Sequence, residues 1–238
     1  MAEHGWDTGL GTAPTADPTQ EFCRLACLTY SREDGPARWA QARHLLAEHP
    51  ELTTADVWAA AAAARPGDVG RLLAERPARV AERGGPLRWR PLYYLVYSRC
   101  DPTMSAERVL AVARQLLDAG ADPNDGYLFD ALPTPFALLT GVFGHGELGR
   151  QRQPRHPHWR ELGRLLLDAG ADPNDAQTLY SAADGNVELT RRLLNLGADP
   201  NLRDHRFDAT PLDWARHVHQ LPTAALLEPV TAPPTTRA

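Results

Sequence analysis

The sequence contains no lysine, so arginine supplies all 25 of its basic side chains. With the many alanines, glycines and prolines, this absence indicates a GC-rich coding bias, and we expect a bacterial host genome of that kind. Acidic residues number 30, and the net charge of −5 has the wrong sign for a protein whose main task is to hold phosphate backbones. Nucleic acid is therefore not expected as a partner.

Cysteine is scarce, and long apolar runs are missing. The three cysteines, Cys23, Cys27 and Cys100, are odd in number and form no disulfide framework, so we expect a reducing, cytoplasmic location. The N-terminal residues show no basic segment followed by an apolar one, and no run of about 18 apolar residues occurs. Neither a signal peptide nor a contact with membrane is expected.

Signatures of common catalytic sites are also missing. The chain has no GxxxxGK[ST] phosphate loop, no GxSxG and no HExxH. The densest group of metal-binding residue types is His145, His156 and His158, with Glu147 and Glu161 nearby, and its spacing matches no defined zinc site. We interpret it as part of a polar loop and predict no catalytic residue, metal or cofactor, although whether this loop binds anything stays open.

What the chain does contain is a repeat. The string QLLDAGADPND at 115–125 returns as LLLDAGADPND at 165–175 and as RLLNLGADPN at 192–201. Pairs of leucines extend the series to six units, whose first leucines are 27, 44, 50, 27 and 33 residues apart. Such a period with insertions predicts a stack in which each unit buries its apolar face against its neighbours. The pairs are Leu45-Leu46, Leu72-Leu73, Leu116-Leu117, Leu166-Leu167, Leu193-Leu194 and Leu226-Leu227.

Each unit is predicted to hold two helices. Apolar residues at three- and four-residue spacing predict a second helix that ends at the leucine pair, as over 106–117 and 187–194. A threonine that can cap a helix, or a proline suited to its first turn, marks a shorter first helix. The first helices are predicted at 134–139, 178–186 and 210–215.

The GADPN turn after the leucine pair is predicted to end the second helix. Its glycine can adopt the left-handed C-cap conformation, and its proline cannot continue a helix. Its aspartate recurs at the same place in each unit, so we interpret it as an acceptor that orders the turn rather than as a catalytic group. The positions are Gly120, Gly170 and Gly197, and Asp122, Asp172 and Asp199.

These residues resemble the ankyrin repeat, whose unit reads TPLHxAAxxGxxxxVxxLLxxGADxN. The fit is closest over 179–201, and Thr210-Pro211-Leu212 matches the helix start, with Asp213 where the family has histidine. The resemblance covers about residues 21–229 and weakens before residue 90. It implies an all-α, ankyrin-like solenoid of about six helix-turn-helix units with projecting loops, in which the outermost two units are divergent caps.

The repeat domain is expected at 20–230, between disordered tails at 1–19 and 231–238 that are rich in threonine, proline and glycine. Two insertions, 99–105 and 141–159, fall between the two helices of their units. We expect both to project as exposed loops from the same face.

The resemblance implies a protein-protein interaction module that binds a partner protein through the concave helix face and the projecting loops. Tyrosine, tryptophan and arginine dominate interface energetics, and these types occur at the positions where the family varies. The alternative that the aromatic side chains fill the stack between helix pairs stays open. The predicted partner-binding residues are Tyr94, Tyr97, Leu138, Ser181 and Trp214 on the helix face, and Tyr127, Arg203, His205 and Arg206 in or beside the loops.

An enzyme or small-molecule binder is the alternative function, with residues 141–159 folding over the aromatic groove as a lid. The insertion favours it, because a plain scaffold needs no long histidine-rich loop. The missing acid-base signature counts against it, and we favour the binding module. Neither the identity of the partner nor the oligomeric state follows from the sequence.

Overall fold

Paired helices make up most of the computed structural model, which describes residues 6–7, 13–129, 135–144, 148–174, 179, 187–203 and 208–232. In the described part of the chain, no helix is long and apolar enough to cross a membrane. The helices are α1 (Pro18–Ala26), α2 (Pro36–Glu48), α3 (Val57–Ala62), α4 (Pro66–Glu75), α5 (Pro91–Tyr97), α6 (Ala106–Asp118), α7 (Leu138–Phe143), α8 (Trp159–Asp168), α9 (Val187–Asn195), α10 (Pro211–His217) and α11 (Leu221–Leu227), with 3-10 turns at Pro50–Thr53 and Pro77–Ala81.

The helix pairs stack in two rows. Among the first helices, α3 contacts α1 and α5, and α5 contacts α7; among the second helices, α6 contacts α4 and α8, and α9 contacts α11. The first leucine of each central pair lies in the seam and is at most 1% exposed, which explains why the repeat preserves it. These leucines are Leu72, Leu116, Leu166 and Leu193.

Helix α10 shows why the sequence folds locally as it does. The Thr210 hydroxyl oxygen accepts a hydrogen bond from the Asp213 main-chain nitrogen at 3.2 Å, and the Asp213 carboxylate accepts one from the Thr210 main-chain nitrogen at 2.9 Å. This reciprocal capping box satisfies two donors that the first turn of a helix leaves free. Asp213, which departs from the family pattern, therefore still fixes the start of the helix.

Most of the predicted helices are confirmed. Helices α6 and α9 each end one residue beyond their predicted range, and α10 covers the range predicted at 210–215. The prediction at 134–139 is wrong for its first part, because Pro135–Ala137 forms a strand and the helix starts at Leu138. The range 178–186 lies outside the described residues except for Leu179.

The GADPN turns are built as predicted. Gly120, Gly170 and Gly197 have φ of +98°, +95° and +89°, the left-handed region that a helix C-cap uses. The aspartate of each turn accepts a hydrogen bond from the main-chain nitrogen two residues later, at 2.8 Å in all three cases. These carboxylates order the turns, as expected.

The asparagines of the first two GADPN turns join their units to the next. The Asn124 side chain donates to the Gly170 carbonyl at 2.9 Å and accepts from the Asp172 nitrogen at 2.6 Å. Asn174 makes the same pair of bonds to Gly197 and Asp199, at 3.1 and 2.7 Å. The turns are therefore linked by a row of amide brackets, which we call the asparagine ladder.

A small sheet adds to the helices and departs from the all-α expectation. Strand β2 (Gly126–Phe129) lies between β3 (Pro135–Ala137), to which it is antiparallel, and β1 (Trp6–Asp7), to which it is parallel. Both β1 and the start of α1 fall within residues 1–19, where a disordered tail was expected.

Candidate functional site

The chain after α1 lies against units that come two and three units later. The Leu28 nitrogen donates to the Tyr97 carbonyl and the Arg99 nitrogen donates to the Ala26 carbonyl, both at 2.8 Å. The Tyr30 hydroxyl reaches α7, where it donates to the Thr140 carbonyl at 2.9 Å. Residues 26–30 therefore cover the first helices of those units.

An aromatic cluster fills the space under this cover. Its neighbouring ring centroids are 4.9 to 6.4 Å apart, the range for favourable edge-to-face and offset contacts. The hydroxyls of Tyr30, Tyr93 and Tyr97 donate to main-chain carbonyls; that of Tyr97, for example, donates to Ala137 at 2.7 Å. The cluster consists of Tyr30, Trp89, Tyr93, Tyr97, Tyr127 and Phe136.

Four of the predicted partner-binding residues belong to this buried region. Tyr94, Tyr97 and Leu138 are fully buried, and Tyr127 nearly so. The Tyr94 hydroxyl donates to the Gly84 carbonyl at 2.9 Å, which fixes its ring inside the chain. This corrects the expectation of an open groove at these positions: residues 26–30 contact Tyr94 and Tyr97, and the aromatic side chains fill the stack.

Two other predicted residues reach solvent near the C-terminal end. Trp214 on α10 is half-buried, and its ring stands edge-on to His217 with centroids 5.7 Å apart. Arg203 is exposed and lies beside Asp208, 3.7 Å from its carboxylate. Ser181, His205 and Arg206 lie outside the described residues.

The larger insertion does not project as expected. Gly141 still belongs to α7, and Trp159 begins α8. Between them, Gln153 and His156 are only 1% and 2% exposed. The Arg152 Nε donates to the Asp34 carbonyl at 3.0 Å, which docks the segment onto the loop between α1 and α2.

Arg99 joins the two insertions and was missed at the sequence level. Its buried guanidinium donates to the carbonyls of Val96 at 3.0 Å, Ser98 at 2.9 Å and Pro154 at 2.9 Å, and also to that of Gly141. Burial lowers the pKa of this arginine to about 10, so it keeps its charge at neutral pH. An arginine in a segment that reads as a loop gives no sign of this role.

A buried ion pair holds the loop to which the insertion docks. The Asp34 carboxylate accepts from Arg38 at 2.8 Å and from the main-chain nitrogen and hydroxyl of Thr29, each at 3.1 Å. Burial raises the pKa of Asp34, an effect that the adjacent guanidinium opposes. Because Asp34 is almost completely buried, it has no access to a substrate and acts as a structural group.

The histidines of the insertion form no metal centre in the described part of the chain. The His156 Nδ1 accepts a hydrogen bond from the His158 nitrogen at 3.1 Å, and burial lowers the pKa of His156 well below its usual value. The His158 ring contacts the Met104 carbonyl. His145 and Glu147 lie outside the described residues, and no group of three or more metal-binding side chains is found among the others.

Neither the cysteines nor the glycine-rich stretch at 144–149 is assigned a catalytic or ligand-binding role. The three cysteines are buried and unpaired, and burial raises the pKa of Cys100 to about 11, so its reactive thiolate is scarce. Residues 144–149, GHGELG, have the GxGxxG spacing of dinucleotide-binding loops. They follow helix α7 rather than a strand, so the context which that spacing requires is missing.

Comparison with known proteins identifies the repeat. The Ankyrin repeat family model matches residues 179–205. This segment includes α9 and the GADPN turn with Asp199, where the family pattern is most complete, and it supports an ankyrin repeat and, in general, a protein-interaction module. No curated protein matches the chain.

Proposed function

We propose that the chain is a protein-binding module of about six ankyrin-like units that holds its partner at the C-terminal end of the concave face. The observation that carries this proposal is the unequal covering of that face. Residues 26–30 cover α5 and α7, whereas Trp214 and Arg203 reach solvent. Tryptophan and arginine are among the residue types that are enriched at the hot spots of protein interfaces.

The predicted contacts in the same region belong to the proposal. Ser181, His205 and Arg206 come from the segments that precede α9 and α10, so the partner contacts them together with Trp214. Truncation of an anchoring tryptophan typically weakens binding by about 2 to 4 kcal/mol. The alternative enzyme needs residues 141–159 as a lid over the aromatic groove. The described part of this insertion contacts Asp34 and Arg99, which does not support a lid.

The test starts from the tagged full chain, which captures its partner from host lysate, and mass spectrometry identifies that partner. The affinity of the purified partner is then measured for the wild type, Trp214→Ala and Arg203→Glu. Arg191→Glu on the exposed side of α9 is the charge-matched control. We expect about tenfold weaker binding or more for the first two and no change for the control.

Circular dichroism shows whether each variant keeps its helices. If Trp214→Ala and Arg203→Glu are folded and bind the partner as tightly as the wild type does, the proposed face is refuted. The absence of any protein partner, with a small molecule retained in native mass spectrometry, would refute the binding module itself.

A further inference from the structure

A groove crosses three successive second helices, α6, α8 and α9, and contains no residue of the face proposed above. It has a volume of about 380 Å³. Its apolar lining comes from Leu110, Trp159, Leu165 and Leu189, one or two from each helix. The groove therefore offers a place for one apolar side chain of a ligand, framed by elements that the repeat holds in a fixed order.

Two arginines lie against the ring of Trp159, the tryptophan of the groove. The guanidinium carbons of Arg155 and Arg160 lie 4.7 and 4.4 Å from the Trp159 ring centroid, within the range of cation-π contacts. Trp159 is half-buried and rests against Phe143, with centroids 6.4 Å apart. A guanidinium that stacks through its flat face keeps its N–H groups directed outward in the plane, where they can bind a carboxylate.

Two ion pairs close part of the rim. Arg164 on α8 contacts Glu188 on α9 at 3.2 Å, and Arg192 on α9 pairs with Asp168 on α8. Each pair bridges the two helices, and its two charges neutralise one another. The Arg192 Nε is buried and has no hydrogen-bond partner in the described part of the chain.

The remaining charges leave the groove positive. Once these pairs are set aside, the lining holds two arginines, Arg114 and Arg160, against one acidic residue, Glu161. The whole chain, by contrast, carries a net charge of −5. A local excess of arginine around an aromatic side chain on an acidic protein favours a ligand of complementary charge.

We propose that this groove binds an acidic segment of a partner protein. An apolar side chain of that segment lies on Trp159 and the leucines, and its flanking carboxylates bind Arg114 and Arg160. Nucleic acid fits less well, because a phosphate backbone is held by many basic side chains, and this acidic chain leaves the groove only a small positive excess. The surface is built from the second helices, so it is a second site beside the one proposed above.

The probes are labelled peptides of about a dozen residues in which aspartates and glutamates flank a central leucine or tryptophan. One matched set carries asparagine and glutamine in place of the acidic residues, and another carries alanine at the centre. A single-stranded oligonucleotide of similar charge is the fourth probe. Fluorescence anisotropy with the full chain gives each affinity at low and at physiological ionic strength.

The variants remove charge and keep a polar, unbranched side chain that can still donate a hydrogen bond. We expect Arg114→Gln and Arg160→Gln each to lower the affinity for the acidic peptides about fivefold to tenfold, because each variant loses a charge-assisted hydrogen bond. The double variant should lower this affinity about fiftyfold. Arg191→Gln, exposed on α9 and outside the groove, is the matched control and should bind like the wild type. Trp214→Ala should also leave this binding unchanged, which separates it from the first proposal.

The proposal is supported if the acidic peptides with an apolar centre bind best and lose affinity in both groove variants. It is overturned if no acidic peptide binds, if the neutral set binds equally well, or if Arg160→Gln has no effect in a variant that keeps its helical circular dichroism. Tighter binding of the oligonucleotide, weakened by the same variants, would overturn it in favour of nucleic acid. A dimer that Arg160→Gln dissociates would assign the groove to a second copy of the chain.

Discussion

In the second half of the chain, a side chain that recurs in two successive turns joins one unit to the next, whereas contacts that occur once join units of the first half to later ones. Asn124 and Asn174 occupy the same place in successive GADPN turns and make the same two bonds. In the first half, Tyr30, Asp34 and Arg99 each contact residues far away in the chain, and these partners occur once.

This difference teaches how an array of repeats can acquire a fixed core. Neighbour-only contacts make the free energy of unfolding close to a sum over units and seams, so such a stack can lose units from its end. Contacts that skip a unit tie several units into one cooperative block. We therefore expect the units from α1 to α8 to unfold together and those from α9 to α11 to open first.

The largest expected effect tests the block. Arg99→Met removes a buried cation and leaves the carbonyls of Val96, Gly141 and Pro154 without their donor, which should cost about 3 to 5 kcal/mol of the free energy of unfolding. Urea denaturation measures it. Arg71→Met, an exposed arginine on α4, is the control and should stay within about 0.5 kcal/mol. An unchanged urea midpoint for Arg99→Met would show that the block has another origin.

The leucine pairs sharpen the comparison between the first unit and the others. Leu116→Ala and Leu193→Ala truncate fully buried side chains and should each cost about 2 to 5 kcal/mol. Leu45 holds the equivalent place in the first unit but is half-buried, so Leu45→Ala should cost about 1 kcal/mol. Equal losses in thermal and urea unfolding would contradict the divergence of the first helix pair.

The pH dependence of stability gives an effect of intermediate size. His156 stays neutral in the folded chain because burial and Arg99 lower its pKa, whereas in the unfolded chain it takes up a proton below about pH 6.5. The contribution of neutral His156 to the free energy of unfolding is therefore complete above that pH. It is lost as the pH falls, by up to about 1.4 kcal/mol per pH unit.

The measurement is the free energy of unfolding between pH 7 and 5, for the wild type and for His156→Gln. The glutamine keeps an acceptor but cannot titrate, so the variant should lose about 2 kcal/mol less than the wild type over this range. Parallel pH profiles would mean that the pKa of His156 is the same in the folded and the unfolded chain.

The smallest expected effect tests the asparagine ladder. Asn174→Ala removes two hydrogen bonds between turns that are exposed to solvent, and we expect a loss of about 1 kcal/mol. Asn195→Ala, at the exposed end of α9, removes an asparagine from the next unit without breaking the ladder and should be close to neutral. If both variants unfold at the same temperature, the ladder adds no stability.

The sequence predicted what recurs and missed what occurs once. Helices α6 and α9 and the turns at Gly120, Gly170 and Gly197 follow from period, capping and backbone preference, which are local properties. The burial of Tyr94 and Tyr97 could not be read from their repeat positions, because it depends on a segment about seventy residues earlier in the chain. No local pattern signals that the chain after α1 returns across later units.

The same limit explains why the docking of the larger insertion was not predicted. Residues 141–159 are polar and rich in glycine and proline, which indicates a loop but does not say what the loop contacts. Its docking joins it to Asp34 and Arg99, whose partners in the insertion, Arg152 and Pro154, lie 118 and 55 residues later in the chain. Polar side chains that serve a core are indistinguishable in sequence from polar side chains that face water.

Arg99 places a positive charge within a shell of carbonyl oxygens, the arrangement by which many loop-rich proteins hold a calcium ion. Here the cation is part of the polypeptide. A chelator cannot remove it, dilution cannot release it, and its concentration never varies with the surroundings. The two insertions thus have an internal counterpart of a structural metal, supplied whenever the chain itself is made.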